Sequence, residues 1–499
     1  MKTLLLYKDD DRNLTHQKLW NEDALVQDLE LNILFKTMSG GDEFLLDMAR
    51  KGIFSGMYCD RETMLYRQDI LKDCLNNSSL IRHLYQITID SIESWRSNLF
   101  SIFTSRPSSI LSSSRGMMKI FVKILKGLRE LADQQSGGFN SEGFKRLFIT
   151  LNTELTDEYF IQVETHLEEL GFPDGILVSA GLGVGNKGRD YILRKVALKK
   201  RSWWQRIFPK KMTGYHFRVH PRDESGLKSL STLSDQGINQ VANTLAQSND
   251  HILAFFNTLR SELAFYIGCL NLYDRLMQIG EPCCFPQIDD PGQYKHTFVE
   301  LYDACLALSI KRKIVGNNLS ADSARLIMIT GANQGGKSTF LRSIGVAQLM
   351  LQAGMFVPAE SFSANICSNL FSHFKREEDS TMESGKLDEE LNRMSKITDY
   401  LTPDSLVLFN ESFAATNERE GSEIAAQIVN ALIESRVKVF FVTHLFEFAH
   451  SLYKEDAVHE VFLRAERKAD ASRTYKLRKG EPLPTSYGID LYNKIFSDE

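Results

Sequence analysis

An eight-residue loop, Gly331 to Ser338, has the glycine spacing and the lysine that phosphate chemistry requires. It fits the pattern G-x-x-x-x-G-K-[ST], follows an apolar run at 326–329 and precedes a helix-like stretch at 338–352. The glycines let backbone N–H groups turn toward phosphates, and the helix N-terminus adds partial positive charge. We expect Lys337 to reach the β- and γ-phosphates of ATP and Ser338 to bind Mg²⁺; the alternative is a chance glycine-rich turn. The predicted nucleotide contacts are Gly331, Ala332, Asn333, Gln334, Gly335, Gly336, Lys337, Ser338 and Thr339.

Two polar residues follow the next apolar strand, where phosphate-loop ATPases often carry two acids. Residues 405–409 predict a short buried strand, and Asn410 and Glu411 come directly after it. Asn410 can bond a metal-bound water but supplies no negative charge, so we expect weaker Mg²⁺ binding. Glu411 keeps the carboxylate that can polarise an attacking water. The alternative for Glu411 is a solvated loop acid, which its position after a buried strand disfavours.

A histidine stands at the end of a third apolar run. Residues 437–442 predict a buried strand, and Thr443 and His444 follow it. The carboxyl ends of parallel strands form the ligand edge of a sheet, so His444 is a candidate catalytic residue that senses the γ-phosphate. A lone histidine is more often structural, and that alternative stays open.

The best partner signal is a basic stretch at 192–222 that contains no acid. Basic side chains follow phosphates and aromatic side chains stack on bases, which favours a nucleic-acid contact. The alternatives are a solvated basic hairpin with core tryptophans, or a loop at an anionic membrane surface. The candidate nucleic-acid contacts are Lys199, Lys200, Arg201, Trp203, Trp204, Arg206, Lys210 and Lys211.

The overall composition is that of a globular protein with two or three domains. The chain has 499 residues, of which 43% are hydrophobic, and a formal net charge of −5. Because the chain is acidic overall, a nucleic-acid surface has to be a local patch. Seven cysteines without a C-x2-C pair indicate reduced thiols and a cytoplasmic protein. The sequence has no run of 18 apolar residues, so no membrane span is predicted.

Several of these motifs together resemble one family. The segment TGANQGGKST at 330–339 is similar to the phosphate loop of the MutS family of DNA mismatch-repair ATPases, which belongs to the ABC class. The segment VTHLFEF at 442–448 resembles the family's switch-histidine segment, and 486–489 matches its late S-Y-G-I. The run 390–411 can be laid without a gap on the run from the family's signature segment to its acid pair. Residues 66–71 resemble the start of its helical lever domain.

The resemblance implies partners and further site residues. It implies a homodimer with composite ATP sites, in which the signature segment of one subunit completes the pocket of the other. On this basis Ser384, Gly385 and Glu390 are predicted to act in trans. It implies a DNA-gripping clamp where the basic stretch falls, so DNA is favoured over RNA. It also puts Ile314 and Asn317 beside the adenine.

The sequence departs from the family pattern in several places. About 60 residues precede the lever-like motif, so we expect a short form without the mismatch-recognition and connector domains. The family's signature serine falls on Gly385, and the acid pair is replaced by Asn410 and Glu411. Little chain follows 486–489, which predicts a short C-terminal dimerisation segment. These departures affect mismatch recognition, signature-loop chemistry and dimer strength rather than ATP binding.

We therefore expect a fold that is α/β plus all-α. A C-terminal ABC-type P-loop ATPase domain (310–499) follows an N-terminal helical lever (1–173), a small β-rich clamp-like insert (174–224), lever return helices (225–281) and a linker (282–309). The expected function is Mg²⁺-dependent ATP hydrolysis coupled to opening and closing of a clamp on structured or branched DNA. The alternative is an ATP-dependent switch on RNA, ribosomes or a protein partner, with weak or no hydrolysis.

Overall fold

The protein has a mixed α/β fold. A computed structural model describes residues 1–9, 18–99, 106–195, 218–376, 385–455, 459–468 and 472–484. Within those ranges it contains fourteen α-helices and twelve β-strands. The chain divides into two compact units: residues 1–3, 82–139 and 144–260 form the first, and residues 4–81, 140–143 and 261–499 form the second.

The N-terminal half is mostly helical. Its helices are α1 (Glu22–Asp28), α2 (Leu31–Ser39), α3 (Glu43–Ser55), α4 (Arg61–Asn76), α5 (Ser78–Leu99), α6 (Pro107–Gln135), α7 (Glu142–Glu154) and α8 (Asp157–Glu169). The antiparallel hairpin of β1 (Leu177–Leu182) and β2 (Gly188–Arg194) follows, and then α9 (Glu224–Ile279), which is 56 residues long. The apolar periodicity at 80–103, 117–134 and 235–279 predicts helices, and α5, α6 and α9 confirm them over the described residues.

The C-terminal half alternates strands and helices. Its elements are β3 (Gln287–Asp289), β4 (His296–Leu301), α10 (Ala304–Ile310), β5 (Asn317–Ser320), β6 (Leu326–Gly331), α11 (Lys337–Gln352), β7 (Ser361–Asn365), β8 (Leu370–Phe374), α12 (Lys386–Tyr400), β9 (Leu406–Asn410), α13 (Glu418–Glu434), β10 (Lys438–Val442), α14 (Phe446–Glu455), β11 (Glu460–Arg467) and β12 (Arg473–Lys479). The strands predicted at 326–329, 405–409 and 437–442 are β6, β9 and β10, and the helix predicted at 338–352 is α11.

In the first unit, α6 and α9 share an apolar core. Leu111 of α6 packs with Ile238 and Ala242 of α9, and all three are buried. The rings of Phe121 and Phe256 stack with their centroids 5.9 Å apart. These contacts explain why both helices keep an apolar face over many turns.

The second unit is built on a six-stranded sheet in the order β12-β11-β6-β10-β9-β8. Every neighbouring pair except β11–β12 is parallel. The residues of β6, β9 and β10 are almost all buried, as expected for parallel strands covered on both faces. In register, Val442 pairs with Ile329 and with Asn410, and Phe374 also pairs with Asn410. The carboxyl ends of four neighbouring strands therefore lie side by side.

Helices cover both faces of this sheet. Met328, Phe409 and Phe441 form a buried core with residues of α12, α13 and α14. Leu408 points to the other face, because successive side chains of a strand alternate. A Cβ on Gly345 of α11 would lie 2.7 Å from the Leu29 side chain and 2.8 Å from the Leu408 side chain, so α11 packs closely on that face.

The segment 282–309 differs from the expected linker. It contains β3, β4 and α10, and its strands pair in a second sheet of order β3-β7-β4-β5. The residues of β4 alternate in burial, with His296, Phe298 and Leu301 inside. The prolines and glycines at 282–292 indicate a linker, but the residues that follow them pair with β5 and β7 as a strand. The boundary at 173 also differs, since residues 4–81 belong to the unit that contains the six-stranded sheet.

No helix in the described part of the chain is long and apolar enough to cross a membrane. The insert predicted at 174–224 is described at 174–195 and 218–224, where it contains the β1–β2 hairpin and the first residue of α9.

Candidate functional site

The loop 331–338 connects the end of β6 to the start of α11, as its pattern predicts. Gly336 precedes the helix as its N-cap with φ 88°, a conformation that favours glycine. A Cβ on Gly335 would lie 2.7 Å from the Ala465 side chain and 2.8 Å from the Ala332 carbonyl oxygen. Two glycines of the motif are therefore required by the backbone path itself. The first turn of α11 faces the same space as the loop.

Lys337 is buried at the start of α11, and its amine points back into the loop. Nζ donates to the carbonyl oxygens of Gly331 at 3.0 Å and Ala332 at 3.1 Å. Burial lowers the pKa of Lys337 to about 8; the nearby Glu411 carboxylate opposes this shift and Arg473 adds to it. The site thus holds a cation in a setting that disfavours its charge, and an anion beside it would restore the charge.

Ser338 joins the loop to the end of β9. Its hydroxyl donates to Oδ1 of Asn410 at 2.9 Å. Asn410 is the last residue of β9, and Ser338 is exposed at the helix start. The structure therefore brings together the two predicted Mg²⁺-binding residues, and each of them could offer the ion a neutral oxygen ligand.

Glu411 and His444 meet at the same edge. Nε2 of His444 lies 2.9 Å from Oε1 of Glu411, and the Glu411 backbone N–H donates to the carbonyl oxygen of Val442 at 2.8 Å. The hydrogen bond with His444 lowers the pKa of Glu411, and burial of the half-buried carboxyl opposes that shift. Lys337 also lowers this pKa, so the carboxylate is ionised near a buried cation.

The loop after β9 is held by side chains that sequence reasoning missed. Glu411 and Phe413 have φ values of 55° and 63°, which are unusual for residues other than glycine. His373, at the end of β8, is buried; its Nδ1 lies 2.7 Å from Oγ of Ser412 and its Nε2 lies 3.0 Å from the Glu390 carbonyl oxygen. A carbonyl only accepts, so Nε2 carries the proton. The Ser412 hydroxyl also donates to the His373 carbonyl oxygen at 2.6 Å, so its one proton is shared between that oxygen and Nδ1. Burial lowers the pKa of His373 to about 3, so this imidazole is neutral.

Glu390 also supports this loop. Its carboxylate is buried and accepts from the Phe413 N–H at 2.7 Å, so it has a contact within its own chain. Gly385 is the N-cap of α12, and Ser384 lies outside the described residues.

A cavity of about 550 Å³ opens beside the loop. Gln334, Gly336 and Thr339 line it on the loop side, and Ile314 and Tyr475 line it farther along. The remaining walls are mixed: Leu306, Ile310 and Phe340 are among the apolar residues, and Asp303, Arg312 and Lys313 are among the polar ones. The cavity suits a flat, partly apolar group attached to whatever the loop binds.

Asn317, which the resemblance puts beside the adenine, lines this cavity, and its amide is already engaged within the protein. Nδ2 donates to the carbonyl oxygen of Tyr475 at 3.1 Å, and Oδ1 accepts from the Leu477 N–H at 2.7 Å. Tyr475 itself is half exposed and has φ 59°. Asn317 therefore fixes the backbone that presents the Tyr475 ring.

Strand β12 adds a cation to the loop. Nε of Arg473 donates to the carbonyl oxygen of Asn333 at 3.2 Å. Sequence reasoning missed Arg473 and Tyr475 because they lie about 140 residues after the loop, on a hairpin strand without a recognisable motif. The eight predicted nucleic-acid contacts and 486–489 lie outside the described residues.

The fold and this site define a mixed α/β protein in which a glycine loop, an Asn-Glu pair and a histidine share one sheet edge. A model of the MutS2 N-terminal domain matches residues 59–279, and a model of MutS domain V matches residues 327–497. The chain belongs to the MutS family.

Curated relatives agree with this assignment. Human MutS protein homolog 4 is 27% identical over 252 residues, which cover 46% of this chain and 26% of the relative. The DNA mismatch repair protein MutS of Porphyromonas gingivalis is 34% identical over 178 residues, covering 35% and 20%. Endonuclease MutS2 of Lactobacillus gasseri is 30% identical over 195 residues, covering 39% and 24%. The matched segments span about a quarter or less of the length of each relative.

Proposed function

We propose that the protein is an ATPase with an ABC-type, P-loop nucleotide-binding domain. The observation that carries the proposal is the convergence of Lys337, Ser338, Asn410, Glu411 and His444 at one edge of the parallel sheet. Lys337 meets the β- and γ-phosphates, and backbone N–H groups of the loop surround them. A phosphate chain also supplies the negative charge that favours protonated Lys337.

Glu411 orients and polarises the attacking water. Its low pKa keeps it ionised at neutral pH, and the hydrogen bond from His444 holds it in one direction. His444 positions the base and lies where the end of a phosphate chain would be sensed. The anchors on Ser412 and Phe413 keep the strained turn at Glu411 in place.

The residues present fit Mg²⁺ as part of the substrate complex. Mg²⁺ prefers oxygen ligands, and Ser338 and Asn410 offer a hydroxyl and an amide oxygen. Among the described residues no three His, Cys, Asp or Glu side chains are grouped as a metal site, so the phosphates have to supply most of the negative charge. When bound, the ion would neutralise charge on the β- and γ-phosphates.

The cavity beside the loop takes the nucleobase. Tyr475 offers a half-exposed ring for stacking, and Ile314 lines an apolar wall. Apolar walls give affinity but weak discrimination between bases, and of the polar residues that line the cavity Asp303 and Asn317 already hold hydrogen bonds within the protein. We expect ATP to be favoured over GTP by less than about a hundredfold.

ATP binding and hydrolysis open and close a clamp on DNA, and two copies of the chain form composite ATP sites. The basic stretch at 192–222 supplies the nucleic-acid contact, and the segment at 384–390 adjoins the nucleotide of the partner copy. Structured or branched DNA is favoured over mismatched duplex. The proposal includes a cytoplasmic location, consistent with seven cysteines that are all free.

One observation favours a second function. Asn410 puts a neutral amide where an acid would strengthen Mg²⁺ binding, and this amide already accepts from Ser338. A protein with this site would bind ATP firmly and turn it over slowly. It would then act as an ATP-dependent switch on RNA, ribosomes or a protein partner.

Two measurements test these functions. Steady-state phosphate release with Mg²⁺ and ATP, compared between wild type and Glu411→Gln, decides whether this site hydrolyses ATP. Filter binding to duplex DNA, branched DNA and structured RNA, with and without ATP, decides the partner. Tight ATP binding without hydrolysis and with RNA preferred would replace the first function by the second.

A further inference from the structure

The long helix α9 ends in a motif that fixes the residues after it. Gly280 has φ 82° and its N–H donates to the carbonyl oxygen of Met277 at 3.0 Å. The next N–H, that of Glu281, donates to the carbonyl oxygen of Leu276 at 3.1 Å. These two bonds form a Schellman cap, and Pro282 then prevents the helix from continuing. The backbone of Glu281 is therefore tied to the last turn of α9.

The side chain of Glu281 is tied to the cavity wall. Glu281 is 2% exposed, and its Oε1 accepts from the Ile314 N–H at 2.7 Å. Ile314 belongs to the stretch 312–315, which lines the cavity. Burial raises the pKa of Glu281, while the Ile314 N–H favours the charged form. The Glu281 side chain therefore connects the end of α9 to the stretch 312–315, which forms part of the proposed nucleobase wall.

The residues next to Glu281 hold the same end of α9 in place. Sγ of Cys283 lies 3.8 Å from the hydroxyl of Tyr302, another residue of the cavity wall. Cys284 exchanges two backbone hydrogen bonds with Val357, of 3.1 and 2.8 Å. The segment 281–284 is therefore held by Tyr302 and Val357 as well as by Ile314. Because it is held in this way, a displacement of 312–315 moves the end of α9 rather than being absorbed in a loose connection.

We propose that Glu281 is a positioning residue that couples occupancy of the cavity to the C-terminal part of α9. This inference rests on the proposed nucleotide function. A nucleobase in the cavity orders the 312–315 wall, and the Glu281–Ile314 bond passes this order to residues 261–279. Because such coupling is reciprocal, anything that fixes α9 also tightens nucleotide binding.

Hydrogen–deuterium exchange of the full-length protein tests the coupling. With saturating non-hydrolysable ATP analogue, we expect exchange of wild-type peptides covering 261–279 to slow by about fivefold, the lower end of usual coupling energies. Glu281→Gln keeps an acceptor and should retain the effect. Glu281→Leu keeps the volume but leaves the Ile314 N–H unpaired, so protection of 261–279 should be lost even at saturation. Analogue affinity should fall about tenfold in this variant.

Two control variants separate coupling from simple damage. Gln278→Ala removes a surface contact with Arg275 from the same helix end and should leave both readouts unchanged. Asn317→Ala loosens Tyr475 on the opposite wall, so affinity should fall while protection of 261–279 persists. If Glu281→Leu does not fold, Glu281→Gln still decides, because loss of protection in that variant contradicts an acceptor role.

The outcomes distinguish this inference from the function on which it rests. Nucleotide binding without slower exchange at 261–279 in the wild type overturns the coupling and leaves the ATPase proposal intact. Unchanged protection in Glu281→Leu also overturns it. Failure of the wild type to bind the analogue at all overturns the proposed function, and the coupling with it.

Discussion

His444 and Glu411 form a hydrogen-bonded pair across two parallel strands, with Nε2 and Oε1 2.9 Å apart. Glu411 follows β9 and His444 follows β10, and the strands are in register at Asn410 and Val442. A carboxylate accepts, so Nε2 carries the proton and donates it to the bond. The pair therefore has a fixed tautomer and a fixed direction, and Glu411 keeps its second oxygen free for a water molecule.

Glu411→Gln should abolish hydrolysis while ATP binding persists. The amide cannot take a proton from water, and losing a positioned base costs about 10²- to 10⁴-fold in kcat. Phosphate release at saturating ATP measures kcat, and fluorescent-analogue titration measures affinity. Hydrolysis at the wild-type rate in this variant would show that another group is the base.

His444→Ala should give a smaller loss than Glu411→Gln. The base remains but its orientation is lost, so we expect kcat to fall on the order of tenfold. The double variant should be no slower than Glu411→Gln alone, because the two residues act as one unit. Additive losses would show that His444 acts independently on the phosphate.

Lys337→Ala should weaken ATP binding most strongly. The variant removes the one cation that points into the loop from the first turn of α11, and loss of a charged contact costs about 2–5 kcal/mol. Circular dichroism at matched concentration checks that the fold is kept. Unchanged affinity would contradict the assignment of this loop to phosphate binding.

The pKa of Lys337 also predicts a pH dependence. It is about 8 in the free protein, lowered from 10.5 by burial, and a bound phosphate raises it. A pKa raised on binding adds affinity that is complete below the free value and is lost as pH rises toward the bound value. We therefore expect affinity for ATP to fall above about pH 8, by at most about tenfold per pH unit. The residual binding of Lys337→Ala should lack this dependence.

The sequence predicted the residues at the candidate site better than the residues that hold them in place. Lys337, Ser338, Glu411 and His444 each follow an apolar strand, and parallel strands bring their carboxyl ends to one edge. Their convergence was therefore predictable from strand patterns and from the known behaviour of parallel sheets. The strand β4 was not predictable in this way, because its sequence HTFVEL does not alternate in polarity and prolines before it suggested a linker.

The supporting contacts depend on register and turn geometry instead. Ser412 approaches His373 because a positive φ at Glu411 turns the chain back toward β8, which the residue types do not indicate. Glu281 reaches Ile314, 33 residues later in the chain, only because the fold brings the cap of α9 next to the loop that contains Ile314. Such contacts follow from the path of the folded backbone, so no local pattern predicts them.

Ser412→Ala tests the support of the strained loop. The change removes the hydroxyl that lies beside Nδ1 of buried His373 and donates to the His373 carbonyl oxygen, which should lower the free energy of unfolding by about 1–3 kcal/mol. It should also lower kcat with little change in ATP affinity, because the serine adjoins Glu411 rather than the glycine loop. Urea unfolding and phosphate release measure the two effects. Ser395→Ala, at an exposed position of α12, is the matched control and should change neither.

Nucleic-acid contact is predicted on the basic stretch, whose central residues lie outside the described ranges. Changing Lys199, Lys200, Arg201, Lys210 and Lys211 to Glu should weaken binding strongly and flatten its salt dependence. Each lost phosphate contact removes about 0.9 from the slope of log affinity against log salt concentration. ATP binding should persist, since none of these residues belongs to the nucleotide site.

The control changes the same number of charges elsewhere. Changing the exposed lysines Lys36, Lys119, Lys123, Lys396 and Lys454 to Glu gives the same net charge and should leave the salt slope nearly unaltered. Affinity for duplex DNA, branched DNA and RNA is measured at several salt concentrations for wild type and both variants. If the first variant keeps the wild-type slope on every substrate, the stretch does not contact phosphates of nucleic acid. Vesicles with anionic lipids then test the remaining explanation for its lysines and tryptophans, which is binding to a membrane surface.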